Sequence, residues 1–78
     1  MTVLTQIKDE ILIKKIALCI KGIRKETTIS LDDFYIDTGI HLARIEQGKA
    51  NITISTLSKI CSYFDISLSD FFKKVEKF

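Results

Sequence analysis

The side chains best suited to chemistry in this chain lie between two glycines, Gly39 and Gly48. His41 and Arg44 are three residues apart, so on a helix they share one face, turned away from the apolar residues of the same segment. An arginine on an exposed helix can hydrogen-bond O6 and N7 of a guanine bidentately. The pattern predicts a short amphipathic helix that is offered to a groove of DNA.

Further polar residues flank this segment. Thr38, in the turn before the helix, suits a phosphate contact or a helix cap, and Gln47 suits a base or sugar contact. Lys49 and Asn51, in the following loop, fit phosphate contacts; the alternative for Lys49 is a solvated loop charge. Arg44 has its own alternative, a salt bridge within the domain.

Three weaker candidates precede the segment. Lys25, Thr28 and the backbone amides behind Ser30 are expected to anchor the DNA backbone, because amides at a helix start bind anions. The role of His41 stays open between a DNA contact, a helix cap and an ordinary surface residue, because a lone histidine at a helix start can serve as any of these. Glu46 is assigned to structure, where an acid on the inner side would hold the following loop.

Catalysis is not expected. Asp32 and Asp33 with His41 would be an imaginable acid and base, but 78 residues leave no cleft to hold them. Carboxylates at a helix start are ordinarily favoured by the helix dipole. Cys19 and Cys61 fall at apolar helical positions and are interpreted as buried, reduced thiols. With one histidine there is no metal ligand set, and no cofactor or small-molecule ligand is indicated.

The elements that position these residues are predicted to be helices throughout. The chain has no proline and only three glycines, which leaves little material for tight β-turns. Cap residues and apolar periodicity indicate five helices in a single domain, residues 1–78. Their expected spans are 6–25, 31–36, 40–47, 54–64 and 68–77. Their expected N-terminal caps, where the sequence indicates one, are Thr5, Ser30, Thr53 and Ser67.

Apolar residues at helical spacing are expected to face inward. They include Phe34, Tyr35, Leu42, Ile45, Ile54 and Leu57. The apolar residues of the first helix, Ile11 among them, cover more than one stripe, so this helix is either central to the core or turns one face to a partner. The last helix carries an unusual number of aromatic residues, so it is interpreted as core alone or as core with a homodimer surface. The candidates for that dimer surface are Phe71, Phe72, Val75 and Phe78.

Charge is unevenly distributed. The net charge is only +2, which is small for a nucleic-acid binder. Residues 1–25 are basic, whereas residues 26–58 carry more acids than bases. No apolar run approaches the roughly 20 residues that span a bilayer, and no secretory signal is visible. The sequence is therefore expected to be a cytoplasmic protein without membrane contact.

From Ile20 to Phe72 the chain resembles the lambda-repressor/Cro-like helix-turn-helix family of bacterial and phage regulators, the xenobiotic-response-element type. The strongest similarity runs over residues 43–49 (Ala-Arg-Ile-Glu-Gln-Gly-Lys) and 66–72 (Ile-Ser-Leu-Ser-Asp-Phe-Phe), with Asn51, Thr56-Leu57 and Lys59-Ile60 between them. Upstream, Ile29-Ser30, Phe34 and Thr38-Gly39-Ile40 resemble the family's second helix and its turn.

The resemblance implies an all-α, five-helix, lambda-repressor-like domain with its helix-turn-helix at about residues 30–47. It implies a bacterial transcriptional regulator, a repressor, that docks its third helix in the major groove of double-stranded DNA as a homodimer at the nucleoid. The chain departs from the family at Gly39, which shortens the third helix or its turn, and at Leu31, where the family commonly has glutamine. Its first helix is also extended towards the N-terminus.

One alternative stays open: a protein-interaction module on the same fold, such as an antitoxin-like or anti-repressor partner. The acidic middle segment, Leu31 and the longer first helix favour this alternative.

Overall fold

A computed structural model describes residues 9–78, and these residues form five helices and no strand. The prediction of an all-α, five-helix fold is confirmed. No helix within the described part of the chain has the length and apolarity needed to cross a membrane. The helices are α1 (Glu10–Thr27), α2 (Leu31–Thr38), α3 (Leu42–Glu46), α4 (Ile54–Tyr63) and α5 (Leu68–Val75).

Three of the predicted caps are confirmed by their hydrogen bonds. The hydroxyl oxygens of Ser30, Thr53 and Ser67 each accept the backbone N–H three residues later, at 3.0, 3.1 and 3.0 Å. Each cap satisfies one of the four amides that a helix start leaves without a partner. The starts of α2, α4 and α5 are thus fixed by local sequence.

The start of α1 differs from the prediction. The helix begins at Glu10, because the carboxylate of Asp9 accepts the N–H of Leu12 at 3.0 Å and acts as the cap. Thr5, the predicted cap, lies outside the described residues. At its other end α1 continues to Thr27 and stops at Thr28, whose φ of 58° is left-handed.

The core is assembled by packing α1 against α3 and α5, α2 against α3, and α4 against α5. Phe34 of α2 is fully buried, and its ring meets Tyr63 edge-on at 4.7 Å and stacks on Phe64 at 5.5 Å. Aromatic pairs in these arrangements stabilise beyond their buried area. The other buried apolar residues are Ile13, Ala17, Cys19, Ile20, Leu42, Ile45, Leu57, Ile60, Cys61, Phe71 and Val75.

Three residues at apolar positions of the helical pattern are exposed. Ile11 is 71% exposed because it shares a face of α1 with Leu18, seven residues on and opposite the buried face. Tyr35 is 46% exposed, since α2 directs its neighbour Phe34 into the core. Ile54, the first residue of α4, is 69% exposed. The prediction that Tyr35 and Ile54 are buried was wrong, whereas Ile11 lies on the second apolar face of α1, for which a partner contact was the alternative.

The four aromatic and aliphatic residues proposed for a dimer surface fall into different environments. Phe71 and Val75 are buried in the core of the single chain and present no surface to a second copy. Phe72 is partly buried against the same core, whereas Phe78 is exposed.

Candidate nucleic-acid interface

The surface around α3 brings the predicted base-reading residues together. α3 has five residues; Leu42 and Ile45 are buried, as predicted from their spacing. His41, Arg44 and Gln47 are exposed around it. Within residues 9–78 no ion pair involves Arg44, so its guanidinium is not engaged in the intradomain salt bridge that was its alternative role.

His41 is held by an aromatic neighbour rather than by a cap bond. It occupies the N-cap position of α3, but its side chain makes no hydrogen bond to the helix amides. Its ring stacks on Tyr35 of α2, with centroids 4.4 Å apart and planes inclined by 27°. Sequence reasoning missed Tyr35 because the spacing placed it inside; the stack links an exposed residue of α2 to the start of α3.

The Thr38 hydroxyl organises the turn between α2 and α3. It donates to the Phe34 carbonyl at 2.7 Å and accepts the Ile40 N–H at 3.1 Å. The Thr38 carbonyl in turn accepts a hydrogen bond from the Lys59 ammonium of α4 at 3.1 Å. These bonds lie within α2 and the turn, whereas the N-cap position of α3 is occupied by His41. Gly39 follows with a φ of 74°, a left-handed conformation that glycine adopts without strain.

A second bond from α4 holds the end of α2. The Tyr63 hydroxyl donates to the Asp37 carboxylate at 2.6 Å. Because this hydrogen bond needs the phenol proton and is lost when Tyr63 ionises, it raises the pKa of Tyr63 to about 12. Because the Lys59 and Tyr63 bonds both start from α4, they fix the position of the α2–α3 turn relative to the core.

An ion pair between Arg24 and Glu46 fixes the other end of α3. Arg24 Nε and Nη2 donate to Glu46 Oε2 and Oε1 at 2.6 and 3.0 Å, and Nη1 donates to the Ile29 carbonyl at 3.1 Å. The two side chains are only 15% and 7% exposed. The hydrogen bond to Glu46 raises the pKa of Arg24 further above its ordinary value. Glu46 has a structural role, as predicted. Its bonds to Arg24 connect α3 to α1, and the bond from Arg24 to the Ile29 carbonyl extends this connection to the α1–α2 loop.

The loop after α3 is pressed against α1. Gly48 has a φ of 74° and ends α3, as predicted. A Cβ atom at this position would lie 3.3 Å from Lys14 Cγ and 3.8 Å from Ala17 Cβ. The side chains of Lys49 and Asn51 follow directly and are exposed.

The predicted anchors near the start of α2 are partly engaged by local bonds. The Ser30 hydroxyl is bonded to the Asp33 N–H, and the Thr28 hydroxyl donates to the Thr27 carbonyl at 2.6 Å. Lys25 is exposed near the end of α1. The acidic residues Asp32 and Asp33 lie exposed in the first turn of α2. In the described residues, no group of three histidine, cysteine or acidic side chains is arranged to hold a metal.

The short helices α2 and α3 are joined by three residues, Gly39 to His41, and α3 is partly exposed at the surface of the domain. This arrangement defines the helix-turn-helix class. Residues 20–77 match the family described as the Cro/C1-type helix-turn-helix DNA-binding domain. The chain belongs to this family. No curated protein and no solved structure matches the chain. Residues 10–19 of α1 precede the matched region.

Proposed function

We propose that this protein is a sequence-specific transcriptional regulator, a repressor that binds a palindromic operator as a homodimer with α3 in the major groove. The observation that carries the proposal is Arg44, exposed and in no ion pair within residues 9–78, on a helix that follows the turn held by Thr38 and is tied to α1 by the Arg24–Glu46 pair. Base readers need such fixed geometry, because a bidentate arginine–guanine contact is directional. His41 and Gln47 border Arg44 as further base or sugar contacts, and Lys49 and Asn51 contact phosphates.

Homodimerisation would place two α3 helices in successive major grooves, about 34–36 Å apart. A surface suited to the second copy lies beside α5, in a groove of about 440 Å3 between α1 and the chain after α5. Leu18 and Phe78 line it and are 54% and 55% exposed. Burial of these two side chains would favour association. Sedimentation equilibrium of the wild type and Leu18→Asp tests this: the variant is expected to be the weaker dimer.

Selection of bound duplexes from a random pool, followed by sequencing, tests the function. A palindromic consensus is expected, and failure to enrich any sequence would contradict the proposal. On the selected operator, Arg44→Ala is expected to lose about 1–3 kcal/mol of discrimination at one base pair. Lys73→Ala, on α5 and away from α3, is the control and should keep the discrimination of the wild type.

A protein-interaction module on the same fold is the second candidate. It is favoured by the exposed carboxylates of Asp32, Asp33 and Asp37 on α2, which oppose a polyanion. It is also favoured by the exposed Ile36 on the same helix. A gel shift with generic duplex at low salt separates the two: absence of any shift at micromolar protein, together with a tight protein partner, would favour the interaction module.

A further inference from the structure

We infer that the phosphate-binding surface of this protein lies on α1, along a row formed by Lys14, Lys21 and Lys25 beside the loop residue Lys49. This inference rests on the proposed DNA-binding function and says which part of the domain holds the DNA backbone. Lys14 and Lys21 were not among the residues predicted to contact DNA.

The row lies on the edge of α1 that faces α3. Gly48, at the end of α3, touches Lys14 and Ala17, and Arg24 binds Glu46. Lys21 lies between these two contact points, four residues after Ala17 and three before Arg24, so helical geometry places it on the same edge. Lys25 continues the row at the next turn of the helix.

The length of the row suits a DNA strand. Lys14 and Lys25 are eleven residues apart, which at 1.5 Å per residue is about 16 Å along the helix axis. Phosphates of one strand recur about every 3.4 Å along the duplex axis, so the row spans about five of them. Packing of the Lys14 stem against Gly48 brings Lys49 to the same end, which makes one continuous basic edge next to α3.

The charges of the row are not neutralised within the domain. The ion pairs in residues 9–78 are Arg24–Glu46 and Lys73–Asp70, and neither includes a lysine of the row. All four lysines are exposed. Lysines that have no ion-pair partner and lie beside an exposed recognition helix can neutralise DNA phosphates, and this neutralisation releases counterions from the DNA on binding.

The start of α2 is poorly suited to the same task. Its first turn exposes Asp32 and Asp33, and the Asp33 amide is already bonded to Ser30. Carboxylates at this point repel phosphate within a Debye length of about 10 Å at 0.1 M salt. The acidic edge of α2 and the basic edge of α1 therefore favour a backbone contact along α1.

Salt-dependent DNA binding tests the inference. Fluorescence anisotropy with a labelled 20-base-pair duplex of mixed sequence would be recorded from 50 to 300 mM KCl. The variants are Lys14→Gln, Lys21→Gln and their combination, with Lys73→Gln on α5 as the control for the loss of one lysine. α5 packs on α1 and α4 rather than on α3, so its lysines lie outside the row.

The combined α1 variant is expected to lower the slope of log K against log salt by about 1.8, at about 0.9 per lost contact, and to weaken binding at 0.1 M salt by roughly tenfold or more. The α5 control should keep the slope of the wild type, and Lys14→Arg/Lys21→Arg should restore it because the charge is retained. Equal slopes for the combined α1 variant and the wild type would overturn the inference while leaving DNA binding intact. Equal losses in the single α1 variants and the α5 control would also overturn it. Absence of binding by the wild-type protein would instead remove the proposed function itself.

Discussion

The Arg24–Glu46 pair is expected to carry a large share of the stability of this domain. It is bidentate, and Arg24 makes a third bond to the Ile29 carbonyl. Both side chains are largely withdrawn from water, at 15% and 7% exposure. Removing one partner of a buried pair costs about 3–5 kcal/mol because the other charge is left uncompensated. Since Arg24 keeps some contact with water, the lower part of that range applies.

The perturbation is a double-mutant cycle of Arg24→Ala, Glu46→Ala and the double variant. Each single variant is expected to lose about 3 kcal/mol of unfolding free energy. The double variant should lose less than the sum, with a coupling of about 1–2 kcal/mol. Against a typical total stability of about 5–15 kcal/mol this is a large effect. Glu46→Gln supplies a milder variant if Glu46→Ala does not fold.

Urea unfolding followed by circular dichroism at 222 nm measures the cycle, with the same cycle at Lys73 and Asp70 as control. That pair is 3.9 Å apart and its side chains are 71% and 65% exposed, so its coupling should be near zero. Losses below about 0.5 kcal/mol for both single variants at Arg24 and Glu46, together with additivity, would refute the reasoning. The pair would then be no stronger than its exposed counterpart.

Three further outcomes are expected. Gly48→Ala should lose about 1–2 kcal/mol of unfolding free energy because the φ of Gly48 is 74°. Gly22→Ala, inside α1 with open space around it, should gain about 0.5–1 kcal/mol. Urea unfolding that gave the same sign for both variants would contradict this prediction. Burial raises the pKa of the Cys19 and Cys61 thiols, so a disulfide reagent at pH 8 should modify them only after unfolding, and fast modification of the native protein would contradict their burial. The Tyr63 phenol has a pKa of about 12 in the fold against about 10 unfolded, so its stabilising effect should be complete below pH 10 and disappear as pH rises towards 12. The urea midpoint of the wild type should fall more steeply over this interval than that of Tyr63→Phe, and parallel curves would contradict the assignment.

The starts of the later helices were predictable because their signals are local. Ser30, Thr53 and Ser67 each bond an amide three residues away, which a sequence displays directly. The interpretation of Gly48 as the end of α3 rested on the same kind of information, the left-handed conformation that follows a helix.

The contacts that position α3 were less predictable because they join distant parts of the chain. Arg24 and Glu46 are 22 residues apart, and Tyr63 and Asp37 are 26 apart. Apolar periodicity also could not separate Tyr35 from Phe34, since adjacent residues on a helix differ by only about 100° and both suit a core. The buried face of α2 is decided by which helix it packs against, and that is a property of the assembled fold.

The low net charge of +2 gave little support to DNA binding, but net charge is the wrong quantity for this domain. Screening limits the reach of a surface charge to about 10 Å at 0.1 M salt, so DNA phosphates placed beside α1 would respond to Lys14, Lys21 and Lys25 and only weakly to acids farther away. The carboxylates Asp32 and Asp33 oppose DNA only in orientations that bring α2 to the backbone. Under the proposed function, the lysines of α1 would attract the DNA backbone, while the carboxylates at the start of α2 would disfavour a docking turned towards α2. A domain with evenly mixed charges and the same net value would lack this preference, which is why the salt slope of α1 variants is more informative than the charge of the whole chain.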